Sequence, residues 1–231
     1  MLASKMKKTI RQKITVAMIT RNEEKVVGKV IDEIKQYLNP DDEILVVDSS
    51  RDNTAGIAKA RGARVISQNP PRGYGPAMTE ALNSSGGEII ITMDADGTYP
   101  AEYIPVLIKA VKDGFDEVNA SRLLGKPSTM PWINYLANAL CALLASCLYG
   151  IWTTDLHSGM RAYRKSMLKK ISFEGSKPAL PVDLWLKPKK MGYKTMEIFI
   201  PYRERVGASK MNPLPGLYWT LFRILKTRFA T

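Results

Sequence analysis

The chain has 231 residues, of which 45% are hydrophobic and 24% charged, enough for one large domain or two small ones and too apolar for a disordered protein. Two cysteines exclude a disulfide scaffold, and a single histidine excludes a multi-histidine metal site. The net charge of +12 lies at the two ends, with +5 in residues 1–13, +8 in residues 187–231 and −1 between them. Basic ends on a neutral centre favour an anionic membrane surface as partner over a nucleic acid.

Short apolar runs alternate with helical patterns in the first half of the chain. Buried parallel strands are predicted at residues 14–19, 43–48, 64–66 and 88–93. Between and after them we predict four helices: one capped by Asn22, one capped by Asp52, and two over 76–84 and 101–113. This order predicts a doubly wound, mostly parallel α/β sheet, in which ligands bind beyond the carboxyl ends of the strands.

The second half contains two long apolar segments. Residues 131–151 carry no charge, and the asparagines within them favour a buried or interfacial helix over a membrane span. Residues 217–229 mix aromatic side chains with bases, which is typical of an amphipathic helix at a membrane interface.

Two carboxylates follow the fourth predicted strand, at Asp94 and Asp96. Carboxylates this close repel each other unless a cation lies between them. A divalent metal on a diphosphate meets that need, because Mg²⁺ and Mn²⁺ prefer hard oxygen ligands. By itself the pair is also compatible with simple helix capping.

This pair belongs to one of seven ordered motifs. The motifs are TRNEE at 20–24, DSSRDNT at 48–54, RGYGPA at 72–77, DADGTYP at 94–100, ASR at 120–122, DLHSGMR at 155–161 and YRERVGASK at 202–210. Together they resemble the inverting glycosyltransferases of family 2, which have the GT-A fold. The likeness covers residues 14–210 and is closest to dolichyl-phosphate mannose synthases and related polyprenyl-phosphate glycosyltransferases.

The resemblance implies a site for a nucleotide-diphosphate sugar, with Mg²⁺ or Mn²⁺ held by Asp94 and Asp96. A loop carrying Arg205 and Lys210 would close over the phosphates, although both residues are also compatible with ordinary surface charge. Asn22 either lines the nucleoside pocket, caps its helix, or does both. The implied donor-binding residues are Thr20, Asn22, Glu23, Asp48, Ser50, Asp94, Arg205 and Lys210.

The acceptor side rests on fewer residues. Arg122 is the candidate for holding an anionic acceptor phosphate, and Asp155 and Asp183 are candidate catalytic residues, as a base or as orienting groups. Asp183 is equally compatible with an acid at a helix N-terminus. Asn134 and Asn138 stand where the resembled synthases have an Arg and a Ser on the lipid phosphate. Since asparagine carries no charge, this departure leaves room for a sugar hydroxyl on a lipid-linked glycan.

We therefore expect a catalytic domain over residues 1–212 and a basic aromatic juxtamembrane segment over 213–231. The expected location is the cytoplasmic face of a membrane, as a peripheral protein or the soluble part of a membrane protein. By resemblance the first donor candidate is GDP-mannose, followed by UDP-glucose or UDP-N-acetylglucosamine, and the acceptor is a polyprenyl phosphate or a lipid-linked sugar. The alternatives are a soluble glycosyltransferase with a hydroxyl acceptor and a non-catalytic nucleotide-sugar binder.

Overall fold

The computed structural model describes residues 11–127, 130–175, 179–204 and 213–229, and its centre is a seven-stranded sheet. The strands are β1 (Ile14–Thr20), β2 (Glu43–Asp48), β3 (Arg64–Ser67), β4 (Ile89–Thr92), β5 (Glu117–Ser121), β6 (Arg161–Arg164) and β7 (Thr195–Phe199).

The strands lie in the order β3-β2-β1-β4-β6-β5-β7. β6 runs antiparallel to both neighbours, β4 and β5, and the other pairs are parallel. The predicted mostly parallel α/β sheet is therefore confirmed. The parallel register sets Thr20 beside Asp48, so the ends of β1 and β2 meet at one edge.

Helices cover both faces of the sheet. They are α1 (Val27–Lys35), α2 (Thr54–Ala60), α3 (Tyr74–Ser84), α4 (Ile104–Lys112, after a 3-10 turn at Ala101–Tyr103), α5 (Trp132–Tyr149), α6 (Lys165–Leu168), α7 (Leu180–Lys190) and α8 (Pro213–Phe229).

The sheet separates two hydrophobic layers. Val16 and Val46 face the layer that includes Ile31 of α1 and Leu107 of α4. Ala17, Leu45 and Val47 face the opposite layer, which includes Met78 and Ala81 of α3. Each central strand is buried on both sides, so its sequence is a continuous apolar run. This is why these strands could be predicted from the sequence.

The helix cap predicted at Asn22 is wrong. α1 begins at Val27, and Asn22 lies in the preceding turn with a left-handed backbone, φ 58°. Asparagine tolerates this conformation better than most residues because its short polar side chain can bond locally.

A third cluster of buried side chains joins α5, α7 and α8. Cys141 and Ala145 of α5 pack with Val182 and Trp185 of α7 and with Ile224 of α8. Of the described helices, α5 alone is long and apolar enough to cross a membrane, with a mean hydropathy of 1.4 over 18 residues, and 17% of it is buried. The helix predicted over residues 131–151 is thus present, and one side of it contacts the protein.

Candidate active site

The loops after β1 and β2 are tied together at the carboxyl edge of the sheet. Asp48 is buried, and its Oδ1 accepts hydrogen bonds from Thr20 Oγ1 at 2.6 Å and Ser50 Oγ at 2.5 Å. The backbone N–H of Asn22 donates to Ser50 Oγ at 2.7 Å, and Asn22 Oδ1 accepts from Arg51 N at 2.9 Å. Glu23 N donates to Thr54 Oγ1 at 2.9 Å. These bonds orient the Asp48 carboxylate before any ligand arrives.

A pair of carboxylates, Asp94 and Asp96, follows β4. Asp96 is 3% exposed, and its Oδ1 accepts from the backbone N of Thr98 at 3.1 Å and from Thr98 Oγ1 at 2.6 Å. Gly97 between them has φ 81°, a left-handed conformation that glycine adopts without strain. The turn therefore fixes the direction of the Asp96 side chain.

Gly159 packs its backbone against Asp94. A Cβ added at Gly159 would lie 2.7 Å from both carboxylate oxygens of Asp94. The glycine is held there because Thr92 Oγ1 donates to its carbonyl at 3.0 Å and its N–H donates to the Tyr99 hydroxyl at 2.6 Å. A side chain at this position would have to displace the Asp94 carboxylate.

Arg122 and Asp155 form a bidentate ion pair. Arg122 donates from Nε to Asp155 Oδ2 at 2.7 Å and from Nη2 to Oδ1 at 3.0 Å. The guanidinium carbon also lies 5.9 Å from the ring centre of Tyr99 and 5.2 Å from that of Tyr202. Burial by itself would raise the pKa of Asp155, but the paired Arg122 outweighs it and holds the pKa below its ordinary value.

This pairing has a chemical consequence. A carboxylate with a lowered pKa is a poor proton acceptor, so the geometry fits Asp155 as the group that orients Arg122. Arg122 Nη1 has no hydrogen-bond acceptor among the described residues, and the side chain is 11% exposed. That N–H group is available to an anion.

The Asp94 and Asp96 carboxylates suit a divalent cation. Within the described ranges no three His, Cys, Asp or Glu side chains gather as a complete metal cage. Mg²⁺ and Mn²⁺ are commonly bound through one or two carboxylates together with substrate phosphates, so two carboxylates fit a metal that arrives with a diphosphate. Such an ion would supply positive charge against the leaving diphosphate.

A family model described as Glycosyl transferase family 2 matches residues 15–172. The chain belongs to glycosyltransferase family 2. The glycosyltransferase is 39% identical over 203 residues to a dolichyl-phosphate hexose transferase of Haloferax volcanii, with 88% of each chain covered. It is 27% identical over 217 residues to a polyprenol monophosphomannose synthase of Mycolicibacterium smegmatis, covering 87% of this chain and 82% of the relative.

Solved structures agree on the fold of the glycosyltransferase. Glucosyl-3-phosphoglycerate synthase from Mycobacterium tuberculosis, crystallised with Mn²⁺, uridine diphosphate and phosphoglyceric acid, superposes with a TM-score of 0.77. The match is 21% identical and covers 95% of this chain and 80% of the other. The expected GT-A fold is confirmed.

The structure places two of the three predicted acceptor residues, Asn134 and Asn138, on one helix. Asn134 and Asn138 lie on the half-buried side of α5, and Asn134 Oδ1 has no hydrogen-bond partner among the residues described. Arg205 and Lys210 of the glycosyltransferase lie outside the described residues. The preceding Arg203 is anchored, since its backbone N–H donates to Thr98 O at 3.0 Å.

Asp183 has partners of a different kind. It is fully buried in α7, where Oδ2 accepts from Arg223 Nη1 at 2.8 Å and Oδ1 accepts from Thr227 Oγ1 at 2.7 Å. Both hydrogen-bond donors belong to α8, and Lys187 of α7 lies 3.3 Å from Oδ2. These contacts indicate that Asp183 fastens α8 to the domain. The catalytic role of Asp183 stays a prediction, and these contacts do not support it.

Gly159 and His157 contact this region, although the sequence alone assigned neither of them a functional role. In the sequence Gly159 is only one member of the motif at 155–161. No local pattern predicts that its backbone packs against Asp94, 65 positions away. His157 is buried, its Nε2 lies 2.9 Å from Thr220 Oγ1 of α8, and burial lowers its pKa to about 4. A neutral, packed histidine is a structural contact between the motif and α8.

Proposed function

We propose that this glycosyltransferase transfers a hexose from a nucleotide-diphosphate sugar to a polyprenyl phosphate at the cytoplasmic face of a membrane. The named activities of the Haloferax and Mycolicibacterium relatives support a polyprenyl-phosphate acceptor. GDP-mannose is the first donor candidate because one relative is a mannose synthase. A UDP-sugar is the second, because the superposed synthase binds uridine diphosphate.

The observation that carries the proposal is the two-sided character of α5. Its inward side holds Asn134 and Asn138, and its outward side is a stripe of apolar side chains at helical spacing. A lipid acceptor needs this combination, because its phosphate must reach the protein while its chain stays in the bilayer. The stripe consists of Trp132, Ile133, Leu136, Leu140 and Leu143, which are 59–67% exposed.

α8 adds a second apolar stripe beside basic residues. Tyr149 OH of α5 donates to Ile224 O at 2.9 Å, so the two helices are in direct contact. Neither helix contains an acidic residue, and α8 carries Lys226 and Arg228 near its end. Apolar side chains flanked by bases favour an anionic lipid surface. The exposed stripe of α8 consists of Tyr218, Phe222, Leu225 and Phe229.

The acceptor chemistry agrees with the electrostatics around Arg122. Inverting transfer is a single displacement in which an acceptor oxygen attacks the anomeric carbon as the nucleoside diphosphate leaves. A phosphate monoester is already anionic near neutral pH and needs a cation to hold it. Arg122, fixed by Asp155, offers such a group, and no general base is required.

A divalent cation at Asp94 and Asp96 forms part of the proposal. It is supported by the oriented Asp96 carboxylate and by the Mn²⁺ and Mg²⁺ in crystals of the superposed synthase. Transfer assays with Mn²⁺ and with Mg²⁺ distinguish the two ions.

A sugar hydroxyl on a lipid-linked glycan is the second candidate acceptor. The observation in its favour is that Asn134 and Asn138 are neutral amides, and the Asn134 carbonyl has no partner within the described chain. The amide oxygen of Asn134 can accept a hydrogen bond from a sugar hydroxyl.

The test is transfer of label into lipid. The protein is incubated with Mn²⁺ or Mg²⁺, a short polyprenyl phosphate and labelled GDP-mannose, UDP-glucose or UDP-N-acetylglucosamine, and label is counted in the organic phase. We expect metal-dependent label from one donor. Nucleotide-sugar binding without lipid product would contradict the phosphate acceptor and favour the hydroxyl.

Asp96→Ala provides the matched loss of function. We expect it to lower transfer by roughly 1000-fold, because it removes one of two carboxylates that stabilise the leaving diphosphate. Asp113→Ala is the control, since Asp113 is an exposed acid at the C-terminal end of α4 whose ion-pair partner is Lys109. Normal turnover by Asp96→Ala would refute the metal assignment.

A further inference from the structure

Gln68 lies next to Asp48 at the carboxyl edge of the sheet. It follows β3 directly, and its backbone N–H donates to the carbonyl oxygen of Asp48 at 2.7 Å. The site expected to take the nucleoside is therefore bordered by a residue that the sequence motifs do not include.

The side-chain amide of Gln68 is buried without a partner. The residue is 2% exposed, and neither Oε1 nor Nε2 has a hydrogen bond within the described chain. A buried amide that gives up its bonds to water and gains none in return destabilises the fold. An unpartnered buried amide is accounted for when a water, an ion or a ligand supplies the missing donor and acceptor.

The neighbouring Asp48 carboxylate does not supply the partners that the Gln68 amide lacks. Asp48 Oδ1 already accepts from Thr20 and Ser50, and Oδ2 accepts from Ser50 N at 3.1 Å. Asp48 also has no hydrogen to donate. Gln68 offers both a carbonyl oxygen and an NH₂ group at the same edge.

We propose that Gln68 recognises the base of the nucleotide-sugar donor, as a specificity-determining residue outside the metal and acceptor sites. This inference rests on the proposed use of a nucleotide sugar and adds which group contacts the base. Uracil and guanine both present an N–H next to a C=O, and a single amide can pair with both atoms. The chemical class of ligand is thus an oxo-base with this N–H and C=O edge.

The experiment measures nucleotide affinity and thermal stability together. Calorimetry with Mn²⁺ gives Kd for UDP, GDP and ADP, and for pyrophosphate as a probe without a base, on wild type, Gln68→Leu and Gln68→Glu. Gln36→Leu is the control, because Gln36 is an exposed glutamine at the end of α1. Gln68→Leu keeps a similar size, and Gln68→Glu keeps the shape but lacks the NH₂ donor.

We expect Gln68→Leu to weaken binding of the preferred nucleotide about tenfold or more, with pyrophosphate affinity unchanged. Its melting temperature should stay equal or rise, because the unpaired amide is gone. Gln68→Glu should also weaken nucleotide binding, which keeps the test valid if the leucine variant does not fold.

Two results would overturn the assignment. Unchanged nucleotide affinity in both variants would mean that Gln68 does not contact the base, and equal loss for pyrophosphate would mean a general disruption of the site. The proposed function fails separately if wild type binds nucleotide through Gln68 but transfers no sugar to lipid. Wild type that binds no nucleotide would refute both.

Discussion

Single side chains in the site are held in place by one another. Asp48 is fixed by Thr20 and Ser50, Asp96 by Thr98, and Asp155 by Arg122. Groups oriented before the ligand binds need little reorganisation during the reaction. The activity of the site is therefore expected to depend on the exact positions of these side chains. Substitution of neighbouring residues tests this dependence directly.

Gly159→Ala is the most local of these tests. A methyl group at 2.7 Å from the Asp94 oxygens must displace the carboxylate, and we expect kcat/KM to fall about 100-fold. The fold should persist, since Gly159 does not have a left-handed backbone. Gly125→Ala is the control, because nothing lies within 4 Å of its added Cβ. Equal activity of the two variants would disprove the close approach.

Arg122→Lys tests the acceptor assignment. Lysine keeps the charge but cannot form the bidentate pair, so we expect KM for the lipid acceptor to rise about tenfold with donor KM unchanged. Arg122→Ala is less informative, because it leaves the buried Asp155 unpaired at about 3–5 kcal/mol. Arg64→Lys, in an exposed ion pair with Glu43, is the control. A change in donor KM alone would assign Arg122 to the diphosphate.

At the scale of elements, α8 is fastened to the domain by polar contacts as well as apolar ones. Arg223 bridges Asp183 of α7 and Glu174, and Thr220 contacts His157 in the motif at 155–161. The helix within the predicted juxtamembrane segment packs against α5 and α7. Its position relative to the site is set by these contacts.

Asp183→Ala distinguishes a structural from a catalytic role. It removes the buried carboxylate that pairs with Arg223 and accepts from Thr227, while Glu174 remains 3.2 Å from Arg223, and we expect the free energy of unfolding to fall by about 3 kcal/mol. The corresponding drop in melting temperature is about 10 °C. Asp32→Ala, which breaks an exposed pair with Arg61, should cost less than about 1 kcal/mol. Unchanged stability with lost activity would restore the base assignment.

At the scale of the whole molecule, the exposed apolar stripes of α5 and α8 define the side expected to face lipid. The remaining exposed apolar side chains include Val106 on α4, 46% exposed, which lies on another helix. The contrast between these surfaces gives a test of membrane association that does not depend on transfer activity.

A double substitution, Leu136→Glu with Leu140→Glu, should abolish flotation with liposomes containing phosphatidylglycerol. Removing two leucines from contact with lipid and adding negative charge is expected to weaken binding at least about tenfold. Val106→Glu is the matched control and should float like wild type. Flotation of the double variant would contradict the proposed lipid-facing side.

The sequence by itself determined the first four of the seven strands, most helices and the acidic residues at the strand ends. Apolar runs such as those of β1, β2 and β4 are local patterns, and the acids after β2 and β4 stand next to them. Because parallel strands end at a common edge, the fold class brings the segments after β1 and β2 close together, and the register then sets Thr20 beside Asp48.

Only the tertiary structure decided the contacts between distant segments. In the structure β6 lies antiparallel between β4 and β5, and α1 begins after Asn22, at Val27. Gly159 packs against Asp94. The tertiary structure also buried Asp183 under α8 and left the amide of Gln68 without a partner. The physical reason is that burial and pairing of a polar group depend on residues far away in the chain, which local sequence patterns do not encode.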